Sequence, residues 1–101
     1  MLRIEKTRDG KTLTVALDGK LDTSTAPQLE KELDLTDTEK LVFELKDLAY
    51  ISSAGLRILL AALKTMNGQG GMTVRHVSPE VAEIFEVTGF NEILTIEADD
   101  E

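Results

Sequence analysis

Apolar and polar residues alternate from the start of the chain, with Leu2 and Ile4 set against Arg3 and Glu5, and a second alternation runs through Leu13, Val15 and Leu17. A period of two turns one side of each run toward a core, so two half-buried strands are predicted. The charged break Arg8-Asp9-Gly10-Lys11 joins them, and Asp9-Gly10 favours a hairpin because a primed turn needs positive φ, which Gly and Asp tolerate. At Asp22 the period changes. In DTSTAPQLEKELDL, Ser24 or Thr25 can cap a helix, Pro27 sits in its first turn, and Leu29 and Leu33 share a face.

The run Lys40-Leu41-Val42-Phe43-Glu44-Leu45 is short and β-branched or aromatic at its centre, which predicts a strand buried on at least one face. After LKDLAYISSAG, Leu56, Leu59, Leu60 and Leu63 follow i, i+3, i+4, i+7 spacing, and Ile58, Ala61 and Ala62 widen the stripe into a largely buried helix. Gly68-Gln69-Gly70-Gly71 ends that helix, and Met72, Val74 and His76, or Thr73, Arg75 and Val77, form the two faces of another strand. Ser78-Pro79-Glu80 opens a third helix lined by Val81, Ile84 and Phe85 and closed by Gly89. Ile93-Leu94-Thr95-Ile96 predicts a last short strand. The order β-β-α-β-α-β-α-β implies an α/β domain with a mixed, mainly parallel sheet, right-handed crossovers and an N-terminal antiparallel hairpin. One domain over 1–96 is expected, followed by an acidic, frayed tail over 97–101.

Composition removes several classes of chemistry. The 101 residues contain no cysteine and one histidine, so a disulfide framework, a thiolate nucleophile, a thiolate metal site and any site needing two imidazoles are excluded. With 19 acidic against 11 basic residues the formal charge is −8, which disfavours phosphate backbones and anionic lipid surfaces and makes a basic partner surface the natural counterpart. No stretch is apolar enough to span a bilayer, and MLRIEKTRDG is unlike a signal h-region, so a cytoplasmic protein is expected. GxxxxGK, GxGxxG, HExxH and GxSxG are all missing. No cofactor and no metal is therefore expected.

The informative segment is Tyr50-Ile51-Ser52-Ser53-Ala54-Gly55-Leu56-Arg57, where two hydroxyls stand just before an apolar helix. The plain reading is helix capping, in which a serine oxygen accepts an otherwise unpaired amide and contributes about 1 kcal/mol. Ala54 and Gly55 are small and leave the hydroxyls open to a partner, and Gly55 costs a helix roughly 0.5–1 kcal/mol relative to Ala, which marks a close approach. A helix N-terminus also tolerates an anion, so a phosphoryl group on Ser53 would be accepted locally while changing the surface by about −1.5 to −2 charges. His76, as a base acting on a Ser53 nucleophile, would make a hydrolase, but neither an elbow motif nor an orienting carboxylate accompanies it.

The run LKDLAYISSAGLRILLAAL closely resembles the signature of STAS-domain anti-sigma-factor antagonists, an Asp-Ser-Ser/Thr-Gly-Leu tract between a strand and the second helix. Asp18-Gly19-Lys20-Leu21-Asp22 resembles the family's turn after the second strand, and Ser78-Pro79-Glu80-Val81 with Ile84-Phe85-Glu86-Val87-Thr88-Gly89-Phe90 resembles its third helix and following turn. The resemblance covers nearly the whole chain. It implies a non-enzymatic partner-switching phosphoprotein that, unphosphorylated, binds an anti-sigma factor which is also a serine kinase. Phosphorylation releases that partner, and a metal-dependent serine phosphatase restores binding.

Matched through Gly55 and Leu56, the family's acceptor falls on Ser53, with Ser52 as the alternative acceptor; Ser52 replaces the usual acidic residue and Ala54 the usual Ser/Thr. The implied partner-binding set is Asp22, Thr23, Ser52, Ser53, Ala54, Gly55 and Arg57. A monomer is expected, with no nucleic acid bound and no membrane insertion. The other reading of the resemblance is a constitutive, unphosphorylated STAS module in a transporter or signalling scaffold, which the loss of the acidic residue at Ser52 favours.

Overall fold

A computed structural model describes residues 1–97. The predicted acidic tail lies outside the described residues except for Glu97. The elements, in chain order, are β1 (Leu2–Asp9), β2 (Thr12–Leu21), α1 (Ala26–Glu32), β3 (Lys40–Ile51), α2 (Ser53–Asn67), β4 (Met72–Arg75), α3 (Pro79–Thr88), α4 (Phe90–Ile93) and β5 (Thr95–Glu97). The sheet has the order β1-β2-β3-β4-β5, antiparallel between β1 and β2 and parallel from β2 onward. The single small α/β domain with an N-terminal hairpin is thus the fold that the hydrophobic periods predicted.

Strands that are consecutive in both sequence and space, joined by right-handed crossovers, carry their helices to one face of the sheet. Burial agrees with that. On β2, Leu13, Val15 and Leu17 are buried while Thr12, Thr14 and Ala16 are half-buried on the opposite face. Phe43, Leu45, Val74 and Phe85 are completely buried, as are Leu29 of α1 and Leu59 of α2. Each such side chain contributes about 1.5–3 kcal/mol relative to exposure, so α2 is held by its buried residues Leu56, Leu59, Ala62 and Met66 and provides a rigid base for its N-terminus.

Several local expectations change. In the hairpin Asp9 pairs with Thr12, so Gly10 and Lys11 are the central residues; Gly10 takes φ +62° while Asp9 belongs to the strand. Gly19-Lys20-Leu21 is not a turn but the end of β2, with register irregularities against β3 on either side of Gly19. β4 stops at Arg75, because His76 adopts φ +56° and leaves the extended region. The last strand begins at Thr95 and not at Ile93, since Phe90–Ile93 forms a short extra helix after Gly89 at φ +82°. Four residues carry too little periodicity for such a turn to be read from sequence.

Candidate functional site

β2 and β3 run parallel and side by side, and Leu21 pairs with Ile51 at their carboxyl ends. The Ser52 N–H then donates to the Leu21 carbonyl at 2.8 Å, which ties the start of α2 to the start of the β2–α1 loop. Asp22 and the two serines, separated by thirty residues of sequence, therefore emerge beside one another. Crevices outside the carboxyl ends of parallel strands are the usual ligand positions of open α/β sheets.

The two serines do different work. Ser52 is the N-cap of α2, with extended backbone, and its Oγ accepts from the Gly55 N–H at 3.3 Å. It is half-buried. Ser53 is the first helical residue and is exposed. Gly55 is buried, and a Cβ there would lie 2.7 Å from Leu21 Cγ and 2.8 Å from Ile51 Cγ1. The close approach predicted at Gly55 is thus to the protein's own core, letting the first turn of α2 seat directly over the ends of β2 and β3.

Asp22 organises the neighbouring loop. Its Oδ1 accepts from the Ser24 hydroxyl at 2.8 Å, the Ser24 N–H at 3.0 Å and the Thr25 N–H at 3.1 Å. The Ser24 hydroxyl bond, assisted by those amides, holds the Asp22 carboxyl below its ordinary pKa against the opposing effect of desolvation. The predicted cap by Ser24 or Thr25 is corrected accordingly: Thr25 occupies the N-cap position without a side-chain cap bond, and its hydroxyl donates to the Lys20 carbonyl at 2.9 Å. The Asp22 carboxylate instead closes the turn that leads into α1, and its backbone carbonyl accepts from the Ala26 N–H at 2.8 Å.

Thr23, Ala54 and Arg57 line one shallow cleft of about 340 Å³ with Pro27, Glu30 and Ile58, between α1 and the first two turns of α2. The predicted set is thereby divided. Thr23, Ser53 and Arg57 are exposed, Asp22, Ser52 and Ala54 are half-buried, and Gly55 acts from below. Pro27 and Glu30 were missed by sequence reasoning, and only their exposure one helical turn apart could have flagged them. Tyr50, 43% exposed at the end of β3, is a further surface residue beside this junction.

His76 belongs elsewhere. Its Nδ1 lies 2.6 Å from Glu44 Oε2, while Arg75 Nε donates to Glu44 Oε1 at 2.7 Å. The imidazole does have a carboxylate partner, contrary to expectation, but Glu44 lies seven strand positions before Ile51, on the order of 20 Å from the Ser53 end. A serine–histidine pair between Ser53 and His76 is not formed.

The profile of the STAS domain matches residues 3–100. The chain belongs to the STAS domain family. The Anti-sigma F factor antagonist of Paenibacillus polymyxa is 32% identical over 100 residues, spanning 94% of this chain and 86% of that protein. Among solved structures, an anti-sigma factor antagonist from Mycobacterium paratuberculosis superposes with a TM-score of 0.85 at 22% identity, over 95% of this chain and 85% of that one. The unphosphorylated form of the antagonist SpoIIAA gives a TM-score of 0.81 at 17% identity over 100% of this chain and 90% of that one. SpoIIAA, a Bacillus cell fate determinant, has also been solved phosphorylated, and that form gives 0.74 at 16% identity, over 100% of this chain and 93% of that one. At these identities the structural likenesses speak for the STAS fold.

Proposed function

We propose that this STAS domain is an anti-sigma-factor antagonist that works as a partner switch, with Ser53 as its phosphoacceptor. The observation that carries the reading is the division of labour at the β3–α2 junction: the Ser52 hydroxyl is spent on the Gly55 amide, whereas Ser53 is exposed at the first position of α2. Of the two candidate acceptors, Ser53 can be modified without losing the cap. The relative from Paenibacillus polymyxa, named as an anti-sigma F factor antagonist, supports the same reading.

In this mechanism the unphosphorylated surface around Asp22, Thr23, Ser53, Ala54 and Arg57 docks an anti-sigma factor that is also a serine kinase. Gly55 sets the height of the helix beneath that surface. Phosphate on Ser53 is tolerated by the amides and the positive end of α2, so the domain stays folded. What changes is the docking surface, which gains about −1.5 to −2 charges beside the ionised Asp22 carboxylate and repels the partner. A metal-dependent serine phosphatase reverses the change. Ser52 stands where the resemblance to the family's signature implies an acid, which leaves the Asp22 carboxylate as the acid next to the Ser52–Leu21 link.

Incubation with Mg-ATP and anti-sigma-type kinases, followed by intact mass and fragment mapping, tests the reading. Modification is expected in the wild type and in Ser52→Ala and lost in Ser53→Ala, while Ser53→Asp weakens kinase binding and keeps the fold. Phosphate mapped to Ser52 alone would move the acceptor to the capping serine, and none with any such kinase would instead support a constitutive, unphosphorylated scaffold module.

A further inference from the structure

The formal charge of the chain is not spread over its surface. Residues 1–79 hold 11 basic and 11 acidic residues, whereas residues 80–101 hold eight acidic residues and no basic one, so the whole −8 resides in the last stretch. Within the described residues that stretch is α3, α4 and β5. β5 ends the strand order, so no strand pairs with its outer edge among the described residues, and all three of its residues are exposed. Ile96 pairs in register with the fully buried Val74 and therefore points to the helix-covered face, yet it remains 38% exposed, β5 being the last strand of the sheet among the described residues. Between Ile96 and α3 runs a depression of about 400 Å³ lined by Val77, Pro79, Ala82 and Phe85 together with the exposed Glu83 and Glu86.

From these features we infer that the β5 edge is a second docking surface, which takes an extended partner segment alternating basic and aliphatic residues. An extended segment laid along β5 would pair with its free main-chain groups, as sheet-edge recognition does. Period two then sends every other side chain to the helix face, where aliphatic residues fill the depression beside Ile96. The intervening residues reach the opposite face beside Thr95 and Glu97, which the register places there with Thr73 and Arg75. Glu83 and Glu86 on the helix face and Glu97 on the other leave this edge net acidic, because Arg75 beside Glu97 is already paired with Glu44, so lysine or arginine is favoured at the positions that alternate with the aliphatic ones. A second copy offering its own β5 would bring the same acids together and is repelled. The opposite edge, β1, is protected by its charges, Arg3, Glu5, Lys6, Arg8 and Asp9, from casual pairing. This surface lies at the other sheet edge from β1 and makes no use of Ser53, so it stands or falls apart from the phosphoswitch.

The test uses the full chain, isotopically labelled for NMR, with a synthetic lysine–valine alternating peptide of about nine residues as probe. Saturable shifts confined to residues 77–97 are expected, with the amides of Thr95–Glu97 protected from exchange. Glu83→Gln combined with Glu86→Gln should weaken binding about fivefold to tenfold and flatten its salt dependence. A peptide methylated at alternate backbone nitrogens should bind about tenfold more weakly, a loss that charge attraction alone does not produce. Circular dichroism checks that each variant is folded. Absence of saturable binding, shifts centred on the Ser53 end, unchanged affinity in the double variant, or equal binding of the methylated peptide would each overturn the inference. Self-association through this edge in place of peptide binding would overturn it too, by making a second copy the occupant.

Discussion

Gly55→Ala sets two ordinary effects against each other at the junction that carries Ser53. In an exposed helix the change would stabilise by up to about 1 kcal/mol, because alanine is the better helix former. Here the added methyl would stand 2.7 Å from Leu21 Cγ, 2.9 Å from Leu21 Cδ2 and 2.8 Å from Ile51 Cγ1. Leu21 and Ile51 are 0% and 1% exposed, so neither can swing aside into solvent. Relief requires the first turn of α2 to rise by about 1 Å, against the Ser52–Leu21 bond and the burial of Leu56. Overpacking of this kind costs typically 1–3 kcal/mol, and contacts below 3 Å to two separate side chains place it in the upper half of that range.

After the helix gain is subtracted, a net loss of about 1–2 kcal/mol remains. For a domain of this size that corresponds to a fall in Tm on the order of 5–10 °C. Urea unfolding followed by circular dichroism measures it, with phosphorylation of Ser53 measured in parallel because the displaced turn carries the acceptor. A Gly55→Ala protein as stable as the parent, or more stable, would refute the packing argument and show that helix propensity outweighs contact with the core.

Three further outcomes follow from the same geometry. Ser52→Ala should cost about 0.5–2 kcal/mol in urea unfolding by leaving the Gly55 amide without its Ser52 acceptor, whereas exposed Ser53→Ala should stay within about 0.5 kcal/mol of the parent; equal losses would contradict the assignment of cap and acceptor. Asp22→Asn, which keeps an acceptor for Ser24 and Thr25, should preserve the turn before α1 and yet slow kinase modification of Ser53, while Asp22→Ala should loosen that turn as well, visible as faster amide exchange at Ser24 and Thr25. Burial raises the Glu44 carboxyl, but the hydrogen bonds from Arg75 and His76 together outweigh that and leave it below its ordinary value. A carboxyl lowered in the folded state stabilises above its unfolded pKa and loses that contribution as pH falls through the folded one. Wild type should therefore lose stability faster than Glu44→Gln below about pH 4.5 in pH-resolved urea melts; parallel curves would mean that the cluster contributes nothing.

Much of this protein could be read locally. Alternation in Leu13, Val15 and Leu17, helical spacing from Leu56, and Ser78-Pro79 before Val81 each act over a few residues, so the order of the strands and of the three longer helices, and the buried faces of β2 and α2, are already present in the sequence. The tract around Ser52 and Ser53 likewise marked the candidate site, since capping chemistry is local and the motif is contiguous. Tertiary structure alone decided what depends on strand adjacency. The pairing of Leu21 with Ile51 brings Asp22 to the serines, assigns the cap to Ser52 and turns Gly55 inward. The pairing of Glu44 with Arg75 places the carboxylate that occupies His76 far from Ser53. β5, last in the sheet among the described residues, leaves Ile96 exposed beside acids that the sequence shows only as a charge total. Register between distant segments is a non-local quantity, and no window of a dozen residues contains it.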